Sequence, residues 1–220
     1  MAMTVLLLDE RWPTMIPMEA QGLLLGPVSF TGEVPVRVRW NFSDLLSGED
    51  PTGLGLLVST DAHDEEVEAR LAAGEKLIEA PSRQDPMLQA REAMMQAVRI
   101  GQWERAQTHE SLLPYLAEES QEFAEAVRER AGDEELCKEL GDVLLQVLFH
   151  AELASRRGAF TLDDVAVSFV TKLRSRAPYL FDGTRELVDV EKQELLWAEG
   201  KAREKSQALG LDSGNLESES

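Results

Sequence analysis

Residues 111–154 read SLLPYLAEESQEFAEAVRERAGDEELCKELGDVLLQVLFHAELA, and their pattern predicts two antiparallel helices, 111–129 and 134–154, joined at Gly132-Asp133. Glycine after the first periodic run is a helix stop, and aspartate opening the second is an N-cap. In an antiparallel pair, residues whose numbers share one sum lie at one height. Glu119 with Asp142 and Glu122 with Glu139 are two such couples in the same register. Each helix therefore presents an i,i+3 pair of acids, about 60° apart on its surface, at a matched level.

The second helix carries Leu136, Leu140, Val143, Leu144, Leu145, Val147, Leu148, Phe149 and Leu153, which leave almost no direction without an apolar side chain. Such a helix belongs in a core. Its polar residues Glu139, Asp142, Gln146 and His150 fall in one narrow stripe, so acid is held against a largely buried surface. Like charges buried without compensation would be driven to protonate, whereas a hard divalent cation with oxygen ligands, magnesium above all, keeps them ionised. The four registered acids are accordingly read as metal ligands. The competing reading, a solvated acidic face, is accepted for Glu125, Glu129, Glu134 and Glu135.

A chain of 220 residues with 43% hydrophobic content can bury a sizeable core, as one large or two small domains. Its 41 acids against 22 Lys plus Arg give a net charge of -19, which repels a phosphate backbone and excludes general nucleic-acid binding. A small anionic substrate remains compatible if it arrives with, or meets, a divalent cation. The single Cys137 excludes an internal disulfide and a cysteine-based zinc site, and its apolar helix predicts an inert buried thiol. The apolar run Val5 to Leu8 runs directly into Asp9-Glu10-Arg11, too short for a signal segment or a membrane span. A cytoplasmic protein with no membrane partner, in a reducing compartment, is expected.

Residues 1–80 read as a small α/β domain of unassigned role. Val5 to Leu8, Val28 to Phe30, Val34 to Trp40, Leu56 to Ser59 and Lys76 to Ile78 are strand-like; Pro17 to Leu25 and His63 to Ala73 are helix-like, the latter closed by Gly74. Gly53-Leu54-Gly55 is a turn before a strand rather than a phosphate loop after one. Residues 81–86 read as a linker, 87–207 as an all-α domain, and 208–220 as a polar, disordered tail. The expected helices are Met87 to Ile100, the two of the hairpin, Thr161 to Arg176 and Val190 to about Gln207. Thr161-Leu-Asp-Asp164 is a capping box, Pro178 stops that helix, and Ser111 as N-cap places Pro114 in a first turn that needs no N–H.

Lys172 with Arg176, and Trp197 with Lys201, sit at i,i+4 spacing. Cations near a helix C-terminus are commonly dipole partners and a lone Trp is commonly core. In so acidic a chain, basic residues beside a magnesium cluster are also what a polyphosphate requires.

Trp103-Glu-Arg-Ala-Gln-Thr-His109, the string Ser111 to Glu122 and the string Glu139 to Ala151 closely resemble the MazG nucleoside triphosphate pyrophosphohydrolases, and the EExxE and ExxD halves are both intact. The resemblance runs from about residue 87 to 205, and the whole chain is similar to the actinobacterial form, in which a short α/β region precedes one MazG domain. It implies an all-α MazG-like bundle with a four-helix core, working as a homodimer or higher oligomer. It implies magnesium, with manganese as the substitute ion, and cleavage of an NTP or dNTP to the monophosphate and pyrophosphate, so clearing unwanted or non-standard nucleotides. By motif position Glu119, Glu122, Glu139 and Asp142 are metal ligands, and Glu118 positions or deprotonates the attacking water. Lys172 and Arg176 contact phosphates, and Trp197 with Lys201 reaches the nucleotide. Two departures stand out. The family's Cys-Pro-Trp-Asp is Gly101-Gln102-Trp103-Glu104 here, and its Arg-His-Pro-His-Val-Phe is Arg176-Ala-Pro-Tyr-Leu-Phe181, without either histidine.

The rival reading is a non-catalytic oligomerisation or partner-binding module with a relic acidic cluster. A di-iron carboxylate bundle needs Glu-x-x-His pairs, and none precedes His63, His109 or His150.

Overall fold

The structure is a computed structural model that describes residues 3–50, 53 and 55–214. The chain divides into two compact units, Met1–Ala93 and Met94–Ser220.

In the first unit, β1 (Met3–Leu7), β2 (Leu25–Gly26), β3 (Val28–Phe30), α1 (Val36–Asn41), β4 (Gly48–Glu49), β5 (Leu56–Ser59), α2 (Glu65–Ala72) and β6 (Lys76–Glu79) follow in order. A four-stranded sheet has the order β3-β5-β1-β6 with every pair parallel, and β2 pairs with β4 separately. Leu6 stands opposite Val58 on one side and Ile78 on the other. Uninterrupted apolar strands are what a parallel sheet covered on both faces requires, and Val5, Leu6, Leu56, Leu57 and Val58 are fully buried. Leu6, Leu8, Leu56 and Val58 pack with Val34, Val38 and Phe42, whereas Val5 and Leu57 pack with Val67 of α2. The Asp64 side chain caps α2 by accepting from the Glu66 N–H at 2.9 Å.

Two sequence expectations fail in this unit. Val34 to Trp40 is not a strand. Pro35 caps α1, and the operative spacing is Val34, Val38 and Phe42, one buried face at every fourth residue, while Val36 is exposed. The alternating valines thus hid a helical period. Pro17 to Leu25 forms only a 3-10 turn at Met18–Ala20 before the chain enters β2. Leu54 of the expected Gly53-Leu54-Gly55 turn lies outside the described residues. Residues 81–86, read as a linker, hold a 3-10 turn at Pro81–Gln84, and its Arg83 is buried, paired with Glu79 and Glu92 and donating to the Leu8 and Thr60 carbonyls.

Helix α3 (Pro86–Ile100) spans the division between units. It is followed by α4 (Gln102–Ala106), α5 (Leu113–Glu129), α6 (Asp133–Arg156), α7 (Leu162–Arg176) and α8 (Val190–Gly214). Val98, Leu112 and Phe149 form a buried cluster with Met94 and Leu153 against it, and Trp103 of α4 meets Tyr115 and Phe149 edge-on at 5.7 and 6.0 Å. The capping box at Thr161 is complete, with both reciprocal bonds to Asp164.

Three details differ from expectation. Ser111 is not the cap of α5: it closes the preceding turn with Thr108 by reciprocal bonds of 2.9 and 3.1 Å. The helix stop is Arg130, in the left-handed region at φ 58°, so Gly132 is free to be the N-cap of α6 and Asp133 its first residue. Helix α8 continues past Gln207 to Gly214, and the rest of the expected tail, 215–220, lies outside the described residues.

Candidate metal centre

Helices α5 and α6 form the hairpin on which the carboxylates sit, and the register read from residue numbers places their side chains. One oxygen each from Glu119, Glu139 and Asp142 lies within 4.8 Å of the others. Glu122, the fourth expected ligand, is exposed and stands outside this triad, as a hydrogen-bonding neighbour of Glu139. Glu118 is exposed beside Glu119 and adds to its unfavourable field.

The electrostatics fit a divalent cation. Burial, and then the charges of Asp142, Glu122, Glu118 and Glu139, push the Glu119 carboxyl above the ordinary range. Glu139 is 4% exposed and is held below its ordinary value chiefly by the hydrogen bond that Lys138 Nζ donates to Oε1 at 2.7 Å. Its second oxygen, Oε2, is buried with no hydrogen-bond partner among the described residues. A buried carboxylate with one orphaned oxygen, facing two further acid oxygens, is a donor set of the hard type that magnesium takes.

Lys138 has no place in the EExxE and ExxD reading, although its position immediately before Glu139 and three after Glu135, which it also approaches at 3.6 Å, is a legible signal. A second unforeseen contact joins two histidines, and the hairpin register does not encode it, because His109 precedes α5. His109 and His150 stack with ring centroids 5.1 Å apart and share a 2.8 Å hydrogen bond between their Nδ1 atoms. Burial first, then His109, lowers the basicity of His150, whose Nε2 is buried without a described partner.

The expected phosphate-binding residues lie on the α7–α8 pair. Arg176 donates from Nε to both Glu204 oxygens at 3.1 and 3.2 Å and from Nη2 to Oε2 at 2.5 Å, and its guanidinium lies 5.2 Å from the Trp197 ring centre. The bond to Glu204 raises the already high basicity of Arg176 and lowers that of Glu204. Lys172 and Lys201 are exposed, and Lys172 contributes to the field at Glu204. These helices approach closely because Gly200 has no side chain: a Cβ there would lie 2.7 Å from the Ser175 carbonyl oxygen and 2.9 Å from the Arg176 Cα.

Two expectations about α6 change. Cys137 is exposed rather than buried. Leu140, Leu145 and Val147 are likewise 52, 43 and 38% exposed, so the helix that reads as core leaves apolar side chains uncovered within one chain. No described helix is long and apolar enough to cross a membrane.

Comparison with known proteins gives two family matches: residues 3–78 match the MazG N-terminal domain, and residues 107–181 match the MazG nucleotide pyrophosphohydrolase domain. The chain is 43% identical over 207 residues to a nucleoside triphosphate pyrophosphohydrolase of Mycolicibacterium smegmatis, covering 92% of this chain and 63% of that protein. It is 43% identical over 214 residues to one of Mycobacterium tuberculosis, covering 96% and 65%. The chain thus spans slightly less than two thirds of the length of these relatives. A crystal structure of a mazG-related protein from Thermotoga maritima matches at 32% identity with a TM-score of 0.47, over 52% of this chain and 97% of that one.

Proposed function

Because the chain belongs to the MazG family, with both the N-terminal and the pyrophosphohydrolase domain present, we propose that it is a magnesium-dependent nucleoside triphosphate pyrophosphohydrolase. It converts an NTP or dNTP and water to the monophosphate and pyrophosphate, and so clears unwanted or non-standard nucleotides. The observation that carries this reading is the convergence of Glu119, Glu139 and Asp142 within 4.8 Å, with Glu139 Oε2 buried and unpartnered.

Magnesium, or manganese in its place, supplies positive charge that offsets the triphosphate and acidifies water. Glu119, Glu139 and Asp142 would hold it, with Glu122, the neighbour of Glu139, as the fourth carboxylate. Glu118 accepts a proton from water as the water oxygen bonds to the α-phosphorus. The bond from that phosphorus to the bridging oxygen breaks, and pyrophosphate leaves with the electron pair. Such proton transfer contributes typically about 10² to 10⁴ in rate. Lys172 and Lys201 neutralise the outer phosphates, and Arg176 exchanges one anion, Glu204, for another. Trp197, against Arg176, holds that guanidinium in place for the nucleotide.

The working unit is a homodimer or larger homo-oligomer. Leu140, Leu145 and Val147 on α6 and Val167 and Phe169 on α7, the last two 63 and 60% exposed, leave apolar surface that a second copy would cover. A cytoplasmic site of action follows from the nucleotide substrate.

The test is a panel of standard and modified nucleotides assayed for pyrophosphate release with magnesium. Pyrophosphate with the matching monophosphate, lost on chelation, supports the reading. Orthophosphate as the product, or no turnover of any nucleotide, contradicts it.

A further inference from the structure

Three atoms on the polar stripe of α6 are buried without a described hydrogen-bond partner: Glu139 Oε2, Gln146 Oε1 and His150 Nε2. The first belongs to the acidic cluster; the other two are unused by the proposed chemistry. Gln146 is only 4% exposed, yet it places a carbonyl oxygen where no described residue donates to it. Leaving such an acceptor unsatisfied is as costly as losing a hydrogen bond, and an apolar residue would fill the space without that cost.

Position indicates what would satisfy it. Gln146 lies one helical turn beyond Asp142, a rise of about 6 Å, and His150 about 12 Å beyond. In the opposite direction α6 carries Lys138 and Glu135, already paired with each other and with Glu139. Among the described residues of α6, a nucleotide whose phosphates are at the carboxylates therefore meets buried, unfilled hydrogen-bonding capacity on the Gln146 side and not on the Lys138 side. That side is at the distance of a nucleoside from its α-phosphate.

We propose that Gln146 is a specificity-determining residue that accepts a hydrogen bond from an O–H or N–H of the nucleoside, so the site reads more than the triphosphate. The inference rests on the pyrophosphohydrolase reading. The donor is a sugar hydroxyl or a base amino or imino group, and both offer the same chemistry to a carboxamide oxygen.

The test uses calorimetry with magnesium and full-length protein, comparing inorganic tripolyphosphate with non-hydrolysable α,β-methylene nucleoside triphosphates. The nucleotide should bind more tightly than tripolyphosphate. Gln146→Met, which keeps the volume and removes the acceptor, should weaken the nucleotide roughly tenfold and leave tripolyphosphate unchanged. A loss reproduced in the wild type by a 2′,3′-dideoxy sugar assigns the donor to the sugar; one reproduced by a base lacking its amino group assigns it to the base. In the wild type, which needs no variant to fold, the side-chain amide resonance of Gln146 should shift with nucleotide and not with tripolyphosphate. Equal affinity for tripolyphosphate and nucleotide, an equal loss for both ligands in the variant, or a change of oligomeric state with unchanged nucleotide affinity overturns the inference alone. Failure of the wild type to bind any of these ligands removes the pyrophosphohydrolase reading and the inference together.

Discussion

Lys138 Nζ lies 2.7 Å from Glu139 Oε1, so one oxygen of the most buried acid in the cluster has an internal cation while the other has none. The lysine is itself largely exposed, at 63%, and holds the charge of Glu139 from the solvent side. Lys138→Gln should therefore lower the melting temperature in chelator, and magnesium should raise it by more in this variant than in the wild type. Thermal melts with and without magnesium measure both; an equal magnesium increment in the two proteins would show that Lys138 does not share the cation's role.

Glu119 carries the opposite shift. Its carboxyl is pushed up by burial and by four neighbouring acids, so the native state prefers it protonated. For a raised group, the stabilising contribution is fully present below the ordinary value of 4.5 and is lost as pH rises through the higher folded value. Glu139, shifted down by Lys138, has its window below 4.5 and does not obscure this one. Over the same window the contribution of His150, whose basicity burial lowers, is lost as pH falls, so the readout is a difference: in chelator the wild type should gain stability relative to Glu119→Gln as pH falls toward 4.5 from above, and magnesium uptake in that window should release protons. Calorimetry in two buffers of different ionisation enthalpy counts them, and a count of zero across the window contradicts the shift.

Gly200 permits the contact between α7 and α8 that carries Arg176, Trp197 and Lys201. An added methyl group would meet backbone at 2.7 and 2.9 Å, which no side-chain rotation relieves. Gly200→Ala should cost about 1–3 kcal/mol through overpacking. It should also raise KM more than it lowers kcat, because it moves the residues proposed to bind phosphate and not the carboxylates. Urea unfolding and steady-state kinetics test the pair of effects.

Arg130 ends α5 in the left-handed region, at φ 58°, where a Cβ is unfavourable. Arg130→Gly should stabilise the protein by ~0.5–1 kcal/mol, since only the αL conformation and not a packed side chain is at stake. Chemical denaturation would detect this, and a loss of stability would mean that the arginine side chain contributes more than its backbone costs.

The hairpin was legible because two independent signals agreed: the helical period of 111–129 and 134–154, and a numerical register that pairs Glu119 with Asp142. Three of the four registered acids meet in the structure. What was not legible depended on which neighbour a side chain finds. Glu122 shares the register but stays an exposed neighbour of Glu139 outside the triad, and Arg176 is engaged by Glu204 from a helix whose packing no short motif encodes. Val34 to Trp40 misled for a different reason, since alternating valines satisfy a strand pattern while Val34, Val38 and Phe42 satisfy a helical one, and Pro35 decided between them. Cys137 and Leu140 read as core because α6 is apolar on every side, which says that a face will be covered but not by what.

The most direct test of the central claim, that Glu119, Glu139 and Asp142 together capture the dication that carries the substrate, is magnesium titration by calorimetry on the wild type, Glu139→Gln and Asp142→Asn. The expected result is saturable uptake by the wild type and at least a tenfold loss of affinity in each variant, with helical content unchanged and turnover abolished. Magnesium uptake by both variants equal to that of the wild type would contradict it.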